Sequence, residues 1–468
     1  MSRRFSLLVA LVETLLFFAM FLVSTWMWTL LDANLEISWY LAPMKGVLLA
    51  MIFQASLFYS DLYDFRSVIP PRALLSRLIA ALVLAVLIGG LAYIIFTELG
   101  DRRVFAAALG LSAIIFVIWR TILSRYIGAQ ARTRVLIMGT GSLAAELSTM
   151  IKEREPLGYR LVGLLRGQKD DRRRREGDTQ PPEVSGEIEA VEPDVVGTSD
   201  QLKEICRSSQ ADMVVVAMND RRGNLPVSDL LDLKFQGVEI VEGVALYERF
   251  AEKIYLTDLK PSWMIFSDGF RRSDLRKVSK RLLDISASLF GLIVAGIPMA
   301  ITALLVKITS PGPAIYAQER VGEFGKVFTI YKFRSMRTDS EKTGPQLASK
   351  VDPRVTRFGN FIRKTRLDEL PQLWNVLKGD MSLVGPRPER PYFVVKLQRE
   401  IPFFRQRLFV KPGVTGLAQV KFRYAETADD SLQKLQYDLA YIKNMGILYD
   451  IQIILETIKV MVFRRGAH

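Results

Sequence analysis

The chain has 468 residues, half of them hydrophobic, and a formal net charge of +14. Its mean hydropathy is positive, high for a water-soluble protein, and its length leaves room for two or three domains. The single histidine, His468, ends the sequence, and Cys206 is the only cysteine. Together these exclude a histidine general base, a Ser-His-Asp triad, an internal disulfide and the usual zinc sites. Catalysis must then rest on carboxylates, lysine, arginine, tyrosine or a hard metal.

Four apolar stretches, 5–31, 41–59, 74–96 and 104–127, fill the first quarter, each near the ~20 residues that cross a bilayer as a helix. Arg3 and Arg4 precede the first, Arg66, Arg72 and Arg77 surround the second loop, and Arg120, Arg125, Arg132 and Arg134 follow the fourth. By the positive-inside rule the N-terminus and everything beyond residue 130 face the cytoplasm. The first stretch is too long for a cleaved signal peptide. Glu13 lies inside it and is expected to snorkel or to face the bundle.

A soluble pattern follows. Residues 134–138 read as a buried strand, then Gly139-Thr140-Gly141-Ser142-Leu143-Ala144 and a helix to Ile151, the start of a dinucleotide-binding βα unit. Further strands are predicted at 159–165, 213–218 and 238–241, with a polar, mobile insertion at about 166–193. Gly139 and Gly141 form a candidate nucleotide turn. No acidic residue closes the second strand to hold a ribose, so packing or regulation is the favoured role.

A fifth apolar run, 285–306, is interrupted by Pro298. Basic residues flank it on both sides: Arg271, Arg272, Arg276, Lys277, Lys280 and Arg281 before, Lys307, Arg320 and Lys326 after. Both ends therefore read as cytoplasmic. A helix at about 282–308 that enters one leaflet, breaks at Pro298 and returns satisfies both signals, with a kinked full span as second choice.

Chemistry concentrates beyond this point. Ser310-Pro311-Gly312-Pro313 is a turn. Residues 327–336 alternate as a strand, with Tyr331 and Phe333 on one face and Lys332 and Arg334 on the other, a pair of cations suited to a diphosphate or to a solvated edge. In the segment 361–380, Leu370, Leu373, Trp374 and Leu377 mark one face of a short helix that Pro371 starts and Gly379 stops. Asp368 and Glu369 sit at its entrance. On spacing alone, capping explains them better than catalysis. However, Arg363, Lys364 and Arg366 surround them, helix N-termini also bind phosphate, and Pro386-Arg387-Pro388 follows as a rigid turn holding one arginine. The run 432–463 reads as two amphipathic helices, either on the membrane surface with Arg464 and Arg465 at headgroup level or packed on the core.

These motifs, with Leu367-Asp368-Glu369-Leu370-Pro371-Gln372 at their centre and Lys411-Pro412-Gly413-Val414-Thr415-Gly416 near their end, resemble the bacterial sugar transferases called monotopic phosphoglycosyl transferases (polyprenyl-phosphate hexose-1-phosphate transferases). The resemblance covers about 275–465. The whole layout looks like the large members that start capsule and exopolysaccharide synthesis, and Lys260-Pro261-Ser262-Trp263 to Phe270 looks like a subgroup tied to exosortase-linked loci. It implies a membrane protein of the bacterial inner membrane, multi-pass, with its catalytic domain on the cytoplasmic face. The expected architecture is an α-helical bundle over 1–130, an α/β Rossmann-like domain over 131–267 and an α/β catalytic domain over 268–468 with a Pro-kinked re-entrant helix. By resemblance, Asp368 attacks the sugar-linked phosphate of a UDP-sugar, releases UMP and passes the phosphosugar to undecaprenyl phosphate. Glu369 assists, Mg²⁺ binds at Asp368 and Glu369, and Lys332, Arg334, Arg363, Arg366 and Arg387 hold phosphate. No NAD is required. A homodimer and hand-over to downstream glycosyltransferases are expected, in contact with membrane lipids.

The acceptor is already a phosphate anion and UMP leaves as a stabilised one, so neither strong base nor strong acid is needed. Two other readings compete. A membrane-bound nucleotide-sugar dehydratase would need a Tyr-x-x-x-Lys pair inside the Rossmann unit, whereas the only such spacing is Tyr392 to Lys396. A non-catalytic scaffold or regulator of polysaccharide export would have lost the carboxylates or the Pro-Arg-Pro turn, and both are intact. The basic residues show no recognition-helix pattern, so nucleic acid is not an expected partner.

Overall fold

The computed structural model describes residues 3–31, 42–60, 62, 71–95, 102–129, 133–155, 158–167, 195–218, 225–257, 259, 261–270, 273–337, 354–422 and 428–463. All but the first two residues of the expected insertion, along with Arg464, Arg465 and His468, lie outside them. The chain divides into two compact units, Met1–Gly243 and Val244–His468.

The first unit opens with four helices, α1 (Arg3–Leu31), α2 (Ala42–Tyr59), α3 (Pro71–Ile95) and α4 (Arg102–Ala129). Stretches of α1, α2 and α4 are long and apolar enough to cross a membrane, and α3 holds a shorter apolar run, Arg77–Gly90. Their contact surface is aromatic: Phe17 stacks on Phe53 at 4.5 Å and tilts against Phe116 at 6.1 Å. Glu13 turns into the bundle. Its carboxylate meets Arg120 Nε at 2.8 Å, and the same guanidinium donates to the Leu62 carbonyl, so neither charge is left unpaired in apolar surroundings.

Five parallel strands follow in the order β3-β2-β1-β4-β5: β1 (Thr133–Met138), β2 (Tyr159–Arg166), β3 (Val195–Thr198), β4 (Met213–Val216) and β5 (Glu239–Glu242). Helix α5 (Ser142–Glu153) lies between β1 and β2, α6 (Leu202–Ser208) between β3 and β4, and α7 (Val227–Phe235) between β4 and β5. This is the doubly wound order, with β3-β2-β1 forming one mononucleotide-binding half and β4-β5 beginning the other. The short β3, missing from the predicted strands, exposes both its valines and carries no alternation to mark it. Gly139 has φ +125°, and a Cβ there would lie 2.5 Å from the Ala217 carbonyl oxygen. The turn glycine thus lets β1 run close to the end of β4, which is the packing role.

The second unit begins with α8 (Gly243–Ala251) and α9 (Pro261–Phe266). Although 244–267 was expected to belong to the Rossmann-like domain, Ile254 and Leu256 are buried in the core of the second unit beside Leu435 and Leu439. Next come the long α10 (Asp274–Thr309), the antiparallel hairpin β6 (Ile315–Val321) and β7 (Val327–Phe333), α11 (Arg357–Lys364), α12 (Gln372–Lys378), β8 (Ser382–Val384), α13 (Pro391–Glu400), β9 (Gly413–Thr415), α14 (Leu417–Lys421), α15 (Ala428–Asn444) and α16 (Ile447–Phe463). Of the two C-terminal helices, α15 packs inward through Leu435, Leu439 and Ile442. By contrast, α16 buries Tyr449 and Ile453 and exposes Leu448, Leu455 and Met461.

Helix α10 has 36 residues and remains α-helical across Pro298, where a break was expected. Proline forfeits one backbone hydrogen bond, and Met299, Ala303 and Val306 compensate by packing on Phe333 and Ile362 just beyond it. The first third is held differently: Arg281 donates to the carbonyls of Val376 and Leu377, and Asp284 accepts from Ser382 Oγ and Leu383 N. Arg281 thereby satisfies carbonyls that the end of α12 leaves open, a favourable place for a cation. Between these anchors, Phe290, Ile293, Val294 and Ile297 are exposed.

Candidate active site

Asp368 and Glu369 lie in a single 3-10 turn, Leu367–Glu369, between α11 and α12. Arg366, at φ 59°, reverses the chain just before it in the left-handed region, a conformation costing a non-glycine residue about 1–2 kcal/mol. The reversal brings both carboxylates inward, each on a residue only 8% exposed. Neither caps a helix: the 3-10 turn and α12 both start without a side-chain cap, and Pro371 occupies the N-cap of α12. The capping reading is therefore corrected. The N–H groups that an acid would cap are engaged within the backbone, with Glu369 N donating to Arg366, Leu373 N to Leu370 and Trp374 N to Pro371.

Glu369 is caged by cations. Its Oε1 accepts from Arg387 at 2.7 Å, with Arg366 at 3.4 Å and Lys332 Nζ at 3.6 Å. Burial alone would push its proton affinity up, but the charges of Arg387, Lys332 and Arg366 outweigh that and hold the carboxyl well below its usual range. Asp368 is the opposite case. Its Oδ1 is buried and has no hydrogen-bond partner, and burial, with the adjacent Glu369 charge, pushes its pKa up to about 6. One carboxylate of the pair is locked, and its neighbour is desolvated and unsatisfied. Lys332 is pushed down to about 8 by burial and by the Arg387 charge.

The supporting residues have identifiable positions. Lys332 comes from β7, and Asn375, fully buried in α12, fixes that strand by donating to Thr329 O and accepting from Tyr331 N. Arg363 lies close enough to Asp368 to lower its proton affinity and donates to Ser335 Oγ. Arg387 also donates to Gln419. Arg334 falls one residue past the end of β7 and spends its guanidinium on the carbonyls of Ser310 and Pro311. It is therefore a turn clamp, drawn away from the face it was expected to share with Lys332. Gly139 has the packing role described above, Gly141 is the N-cap residue of α5, and Pro298 lies within the continuous α10. Asp284, Asn375 and Arg407 were not singled out from the sequence. An aspartate inside an apolar helical run was a signal for the first, whereas the other two carried none.

As for a metal, no cluster of three or more metal-ligating acids, histidines or cysteines occurs among the described residues. Mg²⁺ is nevertheless commonly held by one or two carboxylates together with substrate phosphates, and the unpartnered Asp368 Oδ1 fits that pattern.

The fold and site define a membrane protein whose α/β domain sets a buried carboxylate pair among cations. The bacterial sugar transferase family model matches residues 275–464, and a CoA-binding domain model matches 59–225. The chain is 60% identical over 129 residues to a putative undecaprenyl-phosphate N-acetylgalactosaminyl 1-phosphate transferase of Bacillus subtilis, covering 28% of this chain and 72% of that one. It is 49% identical over 188 residues to a UDP-N-acetylgalactosamine-undecaprenyl-phosphate N-acetylgalactosaminephosphotransferase of Aeromonas hydrophila, covering 40% of this chain and 44% of that one. It is 33% identical over 349 residues to an undecaprenyl-phosphate glucose phosphotransferase of Komagataeibacter xylinus, covering 71% and 60%. The match thus spans less than half of the Aeromonas relative. This chain belongs to the bacterial sugar transferase family.

Proposed function

We propose that the protein transfers a sugar-1-phosphate from a UDP-sugar to undecaprenyl phosphate, initiating exopolysaccharide or capsule synthesis. The observation that carries this reading is Asp368: a desolvated carboxylate with an unpartnered oxygen, beside Glu369 fixed by three cations. An oxygen of Asp368 forms a bond to the sugar-linked phosphorus as the bond to UMP breaks, giving an aspartyl phosphosugar. An oxygen of undecaprenyl phosphate then bonds to the same phosphorus, and the Asp368 carboxylate leaves unchanged. Desolvation strips the nucleophile of hydrating water, while Lys332, Arg363, Arg366 and Arg387 neutralise charge on the transferring group. Glu369 keeps Arg387 and Lys332 aimed at that group. Mg²⁺ at Asp368 and Glu369 would supply further neutralisation of the diphosphate.

The relatives' names support the acceptor and the sugar-phosphate donor. The basic residues flanking the apolar segments support a cytoplasmic catalytic domain in the bacterial inner membrane. Both anchors of α10, Arg281 and Ala303, contact the same compact unit, which counts against a kinked full span. A homodimer handing product to downstream glycosyltransferases completes the proposal.

The test is UMP release across a panel of UDP-sugars with undecaprenyl phosphate, comparing wild type with Asp368→Asn. Undiminished lipid-dependent release by that variant would sink the role of Asp368. One diphosphate linkage replaces another, so the reaction is expected to run in reverse: excess UMP and lipid-linked product should regenerate UDP-sugar, and failure to do so would count against the mechanism.

A further inference from the structure

The Pro386-Arg387-Pro388 loop cannot hydrogen-bond itself into shape, because neither proline has an N–H. Its carbonyls, together with that of Glu389, must find outside donors. All four do. Gly413 N serves Pro386, Val321 N serves Glu389, Arg320 Nη1 serves Pro388 at 3.1 Å, and Arg407 Nη2 serves Arg387 at 2.9 Å.

Arg407 differs from the others in being a buried ion. It is 7% exposed, on a 3-10 segment Phe404–Phe409, and its Nη2 also lies 2.9 Å from Asp438 Oδ2 on α15, itself 2% exposed. Burying such a pair carries a desolvation cost that an apolar pair of the same volume would avoid. The return is geometric. Arg387 and Arg407 line one crevice with Val321, Gly322 and Leu408, and Arg407 grips the main chain at the residue whose guanidinium reaches Glu369 at 2.7 Å.

We propose that Arg407, held by Asp438, is a positioning residue for the transfer: it fixes the main chain at Arg387 so that this guanidinium meets Glu369 and the transferring phosphate. The proposal rests on the transferase reading above for the role of Arg387. Arg407 itself acts only through the loop.

The test is a double-mutant cycle on the full-length protein. Arg407→Met combined with Asp438→Asn removes both charges together, so no unpaired ion is buried. That change should lower kcat/KM for the UDP-sugar by about 10-fold or more, mainly through kcat, when Arg387 is present. In an Arg387→Ala background it should cost less than about twofold. Arg407→Lys, which keeps a cation for Asp438 and a donor for the carbonyl, should recover to within about threefold of wild type. Equal losses in both backgrounds, or no loss in the first, would overturn the proposal in favour of a purely structural pair. The same cycle read on UMP affinity by calorimetry reports even where the Arg387→Ala background is too slow to follow. Wild-type UMP release in the same series tests the transferase reading separately, and a wild-type protein that neither releases nor binds UMP would overturn both.

Discussion

Asp368 and Glu369 are adjacent in sequence, yet their environments drive them apart. The cations hold Glu369 most firmly, whereas at Asp368 burial and the like charge of Glu369 outweigh Lys332, Arg366 and Arg363. With Asp368 at about 6 and Lys332 at about 8, kcat/KM should follow a bell. It falls below pH ~6 as Asp368 is protonated and above pH ~8 as Lys332 loses its charge. A flat profile between pH 5 and 9 would contradict this. The folded pKa of Asp368 lies above the ~3.9 of an unfolded chain, so its ionisation destabilises the fold. That penalty is fully present above pH 6 and gone below pH 4. Asp368→Asn should therefore abolish transfer and also raise stability at pH 7 by about 1–3 kcal/mol. Denaturant unfolding at pH 7 and pH 4 would read the difference, and a variant less stable than wild type at pH 7 would refute the account.

At the scale of elements, the site depends on α12 lying against β7 with the 3-10 turn between α11 and α12. Asn375 does this docking by standing in for a neighbouring strand, with one donor and one acceptor aimed at the β7 backbone. Asn375→Ala leaves the Thr329 carbonyl and the Tyr331 N–H unpaired and should cost about 2–4 kcal/mol. It should also reduce turnover, because Lys332 moves with β7. Chemical denaturation combined with UMP release would test both, and a loss below ~0.5 kcal/mol would remove the clamp from the account. The hairpin also shows why Arg334 departs from expectation. Strand periodicity holds only while the strand lasts, and β7 ends one residue before Arg334.

At the scale of the molecule, the second unit starts before the family match. Residues 244–270 contribute Ile254 and Leu256 to its core, Glu248 pairs with Lys443, and Phe270 N donates to the Lys443 carbonyl. Lys443 also sits over the Trp263 ring at 4.6 Å. A fragment beginning at residue 244 should therefore unfold at a clearly higher temperature than one beginning at 275, and should retain lipid-dependent UMP release. Equal unfolding midpoints would show the added segment to be a passive linker.

Composition and pattern by themselves determined a great deal. The apolar stretches marked the membrane helices, the glycine turn after a β-strand run marked the parallel sheet, and the lack of a usable histidine turned attention to carboxylates. The segment holding Asp368, Glu369 and Arg387 was legible because its chemistry is concentrated in about twenty consecutive residues. What the tertiary structure decided was which neighbour each charge takes. The same sequence could cap a helix or bury both carboxylates among cations, and only the inward turn at Arg366, with Arg387 and Lys332 arriving from elsewhere, selects the second. The same holds for Arg407, 20 residues from the carbonyl it grips and 31 from the aspartate that holds it. Charge pairing acts over a few ångströms of space, and no local periodicity records it.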